Sequence, residues 1–274
     1  MRVVVECPAK INLFLAVGPR DPSGYHPLRT VFQAIDLCDT LTIDDDATEF
    51  AVRCDWPGLP IENTLTKALR LLGEYVALPP LKIDLVKRIP AQSGLGGGSS
   101  DAGGLLRAIR SFLPVLLKDR DLYDVAAAVG ADVPFFLMGG KARAEGYGEI
   151  LDPLPDGPRR FLAIARPDVA CPTSAAYSEL DRQEYRWREW PKEEELYNDF
   201  ERVAPPACKD LASEMVRLGA DGSLLCGSGS AVFGLFRDEE VARQAAARLK
   251  SEFVPQSWVA RTLNRMESTG FQRD

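Results

Sequence analysis

Pro90-Ala91-Gln92-Ser93-Gly94-Leu95-Gly96-Gly97-Gly98-Ser99-Ser100-Asp101-Ala102 joins an alternating apolar stretch, Ile83, Leu85 and Ile89, to a helically spaced one, Leu105, Leu106 and Ile109. Four of the five residues from Gly94 to Gly98 are glycine, so the connection is nearly bare backbone. Several N–H groups can converge on phosphate oxygens there, and a helix opening near Ser99 adds its partial positive N-terminus. A flexible linker is the alternative, but ordered apolar flanks on both sides are poor linker composition. Spacing excludes two other phosphate loops. A Walker A loop needs Lys and then Ser or Thr after its last glycine, where Ser99-Ser100-Asp101 stand. A dinucleotide fingerprint starting at Gly94 or Gly96 needs a glycine at position 99 or 101, where Ser99 and Asp101 stand.

The surrounding chain sets the scale. Its 274 residues, 46% hydrophobic and 27% charged with mean hydropathy −0.13, can fill one large core or two smaller ones. Two lobes are expected. A net charge of −7 and a pI near 5.0 argue against a surface that tracks nucleic-acid phosphates. No stretch approaches the ~20 apolar residues of a membrane span, and Glu6, Lys10 and Asn12 break the apolar N-terminus, which reads as neither span nor signal peptide. The expectation is a cytoplasmic protein with no nucleic-acid or membrane partner and no obligate protein partner. Cys7, Cys38, Cys54, Cys171, Cys208 and Cys226 show no C-x-x-C pair, and with a single histidine they give no metal-site spacing, so they read as reduced core residues.

Periodicity predicts an α+β order. Val3 to Val5 and Ile11 to Val17 read as strands around Pro8-Ala9-Lys10, Thr40 to Asp44 with Phe50 to Cys54 as a hairpin, and Leu81, Ile83 and Leu85 as one strand face. Asn63 is a candidate N-cap for a helix carrying Leu65, Ala68, Leu69, Leu72 and Val76, and Asp121 to Val129 reads as a helix ended by Gly130. Pro153-Leu154-Pro155-Asp156-Gly157-Pro158 marks a boundary between lobes of residues 1–155 and 156–274. Beyond it Phe161 to Ala165, Ala231 to Phe236 and Trp258 to Leu263 read as strands. Ser174 to Leu180, the face Leu211, Met215 and Leu218, and the face Val241, Ala245 and Leu249 read as helices. Asp181 to Glu195, with Tyr185, Trp187 and Trp190, reads as a charged loop with packing anchors.

Pro-x-x-x-Gly-Leu-Gly-Gly-Gly-Ser-Ser resembles the ATP loop of the galactokinase, homoserine, mevalonate and phosphomevalonate kinase superfamily. The triple glycine with Ser-Ser-Asp-Ala is most similar to the branch whose acceptor carries a cytidine diphosphate group. By that resemblance Pro90 to Ser100 bind ATP, with Mg²⁺ as its counter-ion and no metal ligand assigned. Phosphoryl transfer also needs a group that takes or steers the hydroxyl proton and a positive charge facing the phosphoryl. Asp132 follows Gly130-Ala131 and directly precedes the apolar run Val133 to Leu137, where a carboxylate is costly unless paired or functional. An Asp so placed more often caps a helix. The run Gly130 to Leu137 resembles the segment that carries the family's catalytic aspartate, which favours the second role.

Four further segments resemble family motifs in the same order. Pro8-Ala9-Lys10-Ile11-Asn12-Leu13 is similar to the N-terminal motif, in which the lysine lies beside the aspartate and the asparagine faces the acceptor. A lysine there can offset charge developing in the transition state. Gly24-Tyr25-His26 resembles the cytosine pocket, where a ring stacks on the base and the histidine region meets its edge, and Tyr177 in Thr173-Ser174-Ala175-Ala176-Tyr177 is the second ring. Cys226-Gly227-Ser228-Gly229-Ser230 resembles the motif that closes over the substrate, with Gly227, Ser228 and Gly229 as contacts. Pro172 and Cys226 depart from the usual hydroxyl residues. Asn198-Asp199-Phe200-Glu201 also matches, but an N-cap and an acidic first turn explain it.

The resemblance implies a two-lobed small-molecule kinase, with an N-terminal mixed α+β ATP-binding lobe, a C-terminal antiparallel-sheet α+β lobe and the active site in the cleft. The implied reaction is ATP-dependent phosphorylation of the 2-hydroxyl of a diphosphocytidyl methylerythritol, a step of the non-mevalonate route to isoprenoid precursors. Two alternatives stay open: a superfamily kinase for another small alcohol, which has no need of Tyr25, His26 and Tyr177, and a silent nucleotide-binding module, which needs neither Lys10 nor Asp132.

Overall fold

Apolar side chains from Val3 to Val17 are buried almost without interruption, as in a strand covered on both faces. In the computed structural model, which describes residues 2–112, 117–184, 187–192 and 194–273, they form a single strand, β1 (Arg2–Val17), paired antiparallel with β2 (Leu28–Asp44). The two strands expected around Pro8 are thus one. Proline removes a ladder donor, and the register shifts at Pro8/Ala9 and again at Asn12/Phe14, so bulges absorb the interruption without ending the strand.

The elements follow as β3 (Ala51–Cys54), α1 (Thr64–Leu72), β4 (Lys82–Val86), α2 (Gly97–Phe112), α3 (Asp119–Val129), α4 (Val133–Met138), β5 (Lys141–Glu145), β6 (Ile150–Pro153) and β7 (Phe161–Arg166). Then come α5 (Thr173–Leu180), β8 (Tyr197–Asn198), a 3₁₀ turn (Asp199–Arg202), α6 (Pro206–Arg217), β9 (Gly222–Leu225), β10 (Val232–Phe236), α7 (Glu239–Glu252), β11 (Gln256–Arg261), α8 (Arg265–Thr269) and β12 (Phe271–Arg273). Tyr185 lies outside the described residues.

One sheet runs β12-β1-β2-β4-β3, with β5 and β6 continuing from β2 and β8 beside β1. The hairpin expected from Thr40 to Cys54 does not form: β4 inserts antiparallel to β2, and β3 pairs parallel on its far side. Ile83 and Leu85 have the same alternation as β3 and bury their side chains fully beside Leu41 and Ile43, so the more apolar strand takes the central place. The second sheet, β11-β7-β10-β9, is antiparallel, with α6 and α7 packed on it. Residues 153–158 carry the chain between the sheets, while β8, α8 and β12 return to the first. Ile11, Ile35, Leu162 and Phe233 join the two in one core cluster.

Local signals place the helices. Asn63 accepts from the N–H groups of Leu65 and Thr66 while Thr66 accepts from Asn63 N, a reciprocal cap that fixes the start of α1. On α7 the buried face is Ala242, Ala245, Ala246 and Leu249, and Val241, expected inside, is 39% exposed. Helix α2 opens at Gly97, two residues before the sequence suggested, with Ser100 N bonded to Gly96 O. All six cysteines are free; Cys7, Cys208 and Cys226 are buried and the others partly so.

Beneath α2 lies a buried charge cluster. Lys87 Nζ bonds Asp101 Oδ2 at 2.8 Å and also Asp39, while Asp101 Oδ1 has no hydrogen-bond partner among the described residues. Burial, reinforced by the Asp39 charge, pushes the Asp101 carboxyl up to about 7. A carboxyl that holds its proton more tightly folded than unfolded stabilises most below its unfolded value, and that stability is lost as pH rises through its folded value. The melting temperature should therefore fall between about pH 4 and the Asp101 value near 7, and in Asp101→Asn that slope should be shallower, the Glu201 carboxyl, also raised by burial, supplying what remains. An unchanged slope would show that Asp101 is not the group responsible.

Candidate active site

The phosphate loop is held on three sides. Leu95 O accepts from Lys10 N at 3.0 Å, Ser93 O from Ala231 N at 3.2 Å, and Gly98 O from Thr64 Oγ1 at 2.6 Å. Pro90 O accepts from Ser93 Oγ, and Ser100 Oγ donates to Pro8 O at 2.6 Å, so both hydroxyls are committed to the frame. Gly97, Gly98 and Ser99 occupy the first turn of α2, where N–H groups lack partners within the helix and the axis presents its positive end. Gly96 has φ +76°, and a Cβ there would sit 3.0 Å from Phe136 Cζ and 3.1 Å from Lys10 Cγ. Ala91 and Gln92 are exposed at the loop's outer edge.

Alternation along β1 aims Lys10 and Asn12 to one side. Lys10 Nζ donates to Asn12 Oδ1 at 2.8 Å and lies 3.5 Å from Asp132 Oδ2, over the Phe32 ring. Asn12 Nδ2 donates to Thr30 Oγ1 at 2.7 Å, which donates to Phe14 O, so this buried relay fixes the lysine head. Asp132 stands at the N-cap of α4, yet its side chain makes no cap hydrogen bond and turns to Lys10. The capping role that its position alone suggests is not the one it plays. Lys10, Asn12, Gly94, Gly96, Asp132 and Tyr177 line one cavity of about 300 Å³, which Tyr147, Gly227 and Ser228 also reach.

Tyr177, on the wall of the same cavity, is partly buried, stacked on His26 at 4.9 Å and edge-on to Phe200. Burial and the Asp132 charge push its hydroxyl up to about 12. His26 Nδ1 bonds Gly18 O at 2.9 Å and Nε2 lies 3.4 Å from Asp181. Both ring nitrogens of His26 thus face protein groups, and the ring backs Tyr177 as a brace. Tyr25 is 67% exposed and packs on Tyr147, 5.6 Å away.

The glycine turn of residues 226–230 abuts the phosphate loop: a Cβ on Gly94 would fall 1.7 Å from Cys226 O. Cys226 is buried and the turn closes through backbone bonds, Cys226 N to Ala231 O and Gly229 N to Cys226 O, both 2.8 Å. Ser228 and Thr173 hydroxyls meet at 3.0 Å, and Ala176 N bonds Pro172 O, so α5 starts without a hydroxyl cap. Asn198 does more than cap: its Nδ2 donates to Leu225 O and Gly227 O, and Asp199 accepts from Val17 N, tying this turn to β1. Sequence reading missed that tie and also missed Tyr147, because the β5–β6 turn carries no motif signal of its own.

A larger cavity, about 580 Å³, lies beneath Trp190 and residues 154–158. Of its cations, Lys141 pairs with Glu194, Arg160 with Asp221 and Arg143 lies over the Trp190 ring, and none of the glycine-loop residues lines it, so the smaller cavity is the candidate site.

A glycine loop on a helix N-terminus, a Lys–Asp pair at its mouth and a second glycine turn closing from the other sheet define a small-molecule kinase of the GHMP type. Residues 63–140 match the GHMP kinases N terminal domain and residues 188–255 the GHMP kinases C terminal. The chain is 38% identical over 263 residues to the 4-diphosphocytidyl-2-C-methyl-D-erythritol kinase of Pelobacter propionicus, covering 90% of this chain and 94% of that one. A crystal structure of 4-(cytidine 5'-diphospho)-2C-methyl-D-erythritol kinase superposes with TM-score 0.82 at 33% identity, covering 94% and 98%. Homoserine kinase from Cytophaga hutchinsonii, 19% identical with TM-score 0.72 over 99% and 96%, shares the fold. The chain belongs to the 4-diphosphocytidyl-2-C-methyl-D-erythritol kinase family, and it is an ATP-dependent phosphotransferase. Among the described residues no helix is long and apolar enough to cross a membrane.

Proposed function

We propose that the chain transfers the γ-phosphoryl group of ATP to the 2-hydroxyl of 4-diphosphocytidyl-2-C-methyl-D-erythritol, giving the 2-phosphate and ADP on the non-mevalonate route to isoprenoid precursors. The observation that carries this reading is the Lys10–Asp132 pair, 3.5 Å apart with Asn12 on the same lysine, in one cavity with Gly94 and Gly96 on one side and Tyr177 on the other. Residues 1–155 serve as the ATP-binding lobe and 156–274 as the lobe that closes the acceptor site.

In this reading Pro90 to Ser100 cradle the phosphates through backbone N–H groups, and Asp132 accepts or orients the hydroxyl proton. A loose transition state asks little of a base, so positioning matters more than basicity. Lys10 faces the oxygen that gains charge, and its burial makes that charge count for more than it would in water. Asn12 contacts the acceptor alcohol. Tyr25 and Tyr177 flank the cytosine, His26 braces Tyr177, and Gly227, Ser228 and Gly229 close over the diphosphate. Mg²⁺ supplies charge neutralisation of the phosphates when bound. The residues fit an ion that arrives on ATP and is held mainly by phosphate oxygens, since Asp132 is the acidic side chain lining the cavity among the described residues.

Replacing Tyr25 or Tyr177 with Ala is expected to lose about 1–3 kcal/mol of base stacking, read as a rise in KM for the cytidylyl substrate of roughly 5- to 150-fold. The KM for ATP should hardly move, because the base contributes similarly to ground and transition states. Unchanged acceptor KM in both variants, with no inhibition of the wild type by CDP, would leave a kinase of this superfamily acting on another small alcohol.

A further inference from the structure

The β5–β6 turn reaches across the cavity to the loop between β1 and β2. Tyr147, set between Gly146 and Gly148, donates its hydroxyl to Asp21 Oδ2 at 2.7 Å and comes within 3.2 Å of Ser23 Oγ. Asp21 organises that loop: its other oxygen accepts from Ser23 N at 2.9 Å and from Tyr25 N at 3.4 Å, and its own N–H bonds Tyr25 O at 2.8 Å. The Tyr147 ring packs on Tyr25, 5.6 Å between centroids at 57°. The same turn touches the phosphoryl side, since Leu28 N bonds Gly146 O at 2.7 Å and a Cβ on Gly148 would lie 3.5 Å from Asp132 Oδ1.

His26 anchors one end of this loop, through Gly18 O and its stack on Tyr177, while the exposed Tyr25 ring is held at the other end by the Asp-centred turn. Tyr147 supplies the tie to the rigid sheet, and it lines the same cavity as Asp132 and Tyr177. We infer that Tyr147 is a positioning residue for the acceptor: its hydroxyl, clasped to Asp21, holds the loop of residues 19–27 so that Tyr25 is presented to the base, and its ring forms the outer wall of the acceptor cavity. This deepens the acceptor assignment above and rests on it.

Tyr147→Phe keeps the ring and removes the clasp. Its expected effect is a rise in KM for 4-diphosphocytidyl-2-C-methyl-D-erythritol of roughly 3- to 10-fold, the range that loss of one ordinary solvent-exposed hydrogen bond gives. The change should fall on that KM rather than on kcat or the KM for ATP, and Tyr147→Phe should add nothing in an Asp21→Ala background, where the clasp is already gone. Amide hydrogen exchange over residues 19–27, followed by mass spectrometry without ligand, should speed up in Tyr147→Phe. Unchanged exchange would overturn the clasp, and faster exchange with unchanged acceptor KM would overturn its role in presenting Tyr25. A wild-type protein that fails to turn over the cytidylyl substrate would count against the acceptor assignment, and the exchange measurement judges the clasp in either case.

Discussion

Asp132→Asn should lower kcat by about 10² or more, the usual worth of a positioned proton acceptor, while ATP affinity stays near wild type. The amide preserves the shape of the carboxylate and removes its charge and its capacity to take a proton. Asp132 lies 3.5 Å from Lys10 in a cavity the phosphate loop also lines, and its side chain is 31% exposed with no cap hydrogen bond to lose. Stability should therefore change little, and the melting temperature serves as the control. If the variant turns over normally, Asp132 has no part in proton transfer and Lys10 alone carries the charge at that end of the cavity.

Gly96→Val should abolish ATP binding in a protein that still folds. At φ +76° a β-branched residue is strongly disfavoured, and its Cβ would press on Phe136 at 3.0 Å and Lys10 at 3.1 Å. Phe136 is core and cannot retreat, so the loop must move, and the first N–H groups of α2 move with it. Gly96→Ala imposes the same backbone constraint with less bulk and should weaken ATP binding without abolishing folding. ATP affinity at the wild-type level in folded Gly96→Val, measured by titration calorimetry, would remove this loop from the nucleotide site.

The features legible in the sequence were those whose physics is local. The glycine run, the Asn63 cap and the alternation of Leu81, Ile83 and Leu85 each report on a few neighbouring residues, and each appears in the structure close to where it was read. Strand order was not legible in that way: β3 and β2 are near in sequence, and only the long-range pairing of β4 decides that they do not form a hairpin. Lys10 and Asp132 were singled out by being charged in apolar surroundings, but their approach depends on β1 and α4 meeting across the phosphate loop. The Gly24-Tyr25-His26 segment marks His26 as a candidate, but the contacts of its ring with Gly18 and Asp181 come from residues the motif does not include. Tyr147 gave no signal because its partners, Asp21 and Tyr25, lie more than a hundred residues earlier.

The most direct test of the account is ADP release, followed by a coupled assay with ATP and Mg²⁺, in the presence and absence of 4-diphosphocytidyl-2-C-methyl-D-erythritol. The account predicts ADP release that depends on the acceptor, is suppressed by CDP, and leaves one new phosphate on the 2-hydroxyl by ³¹P NMR. ADP release that is indifferent to the cytidylyl compound, or equal turnover of small alcohols lacking the cytidylyl group, would contradict it.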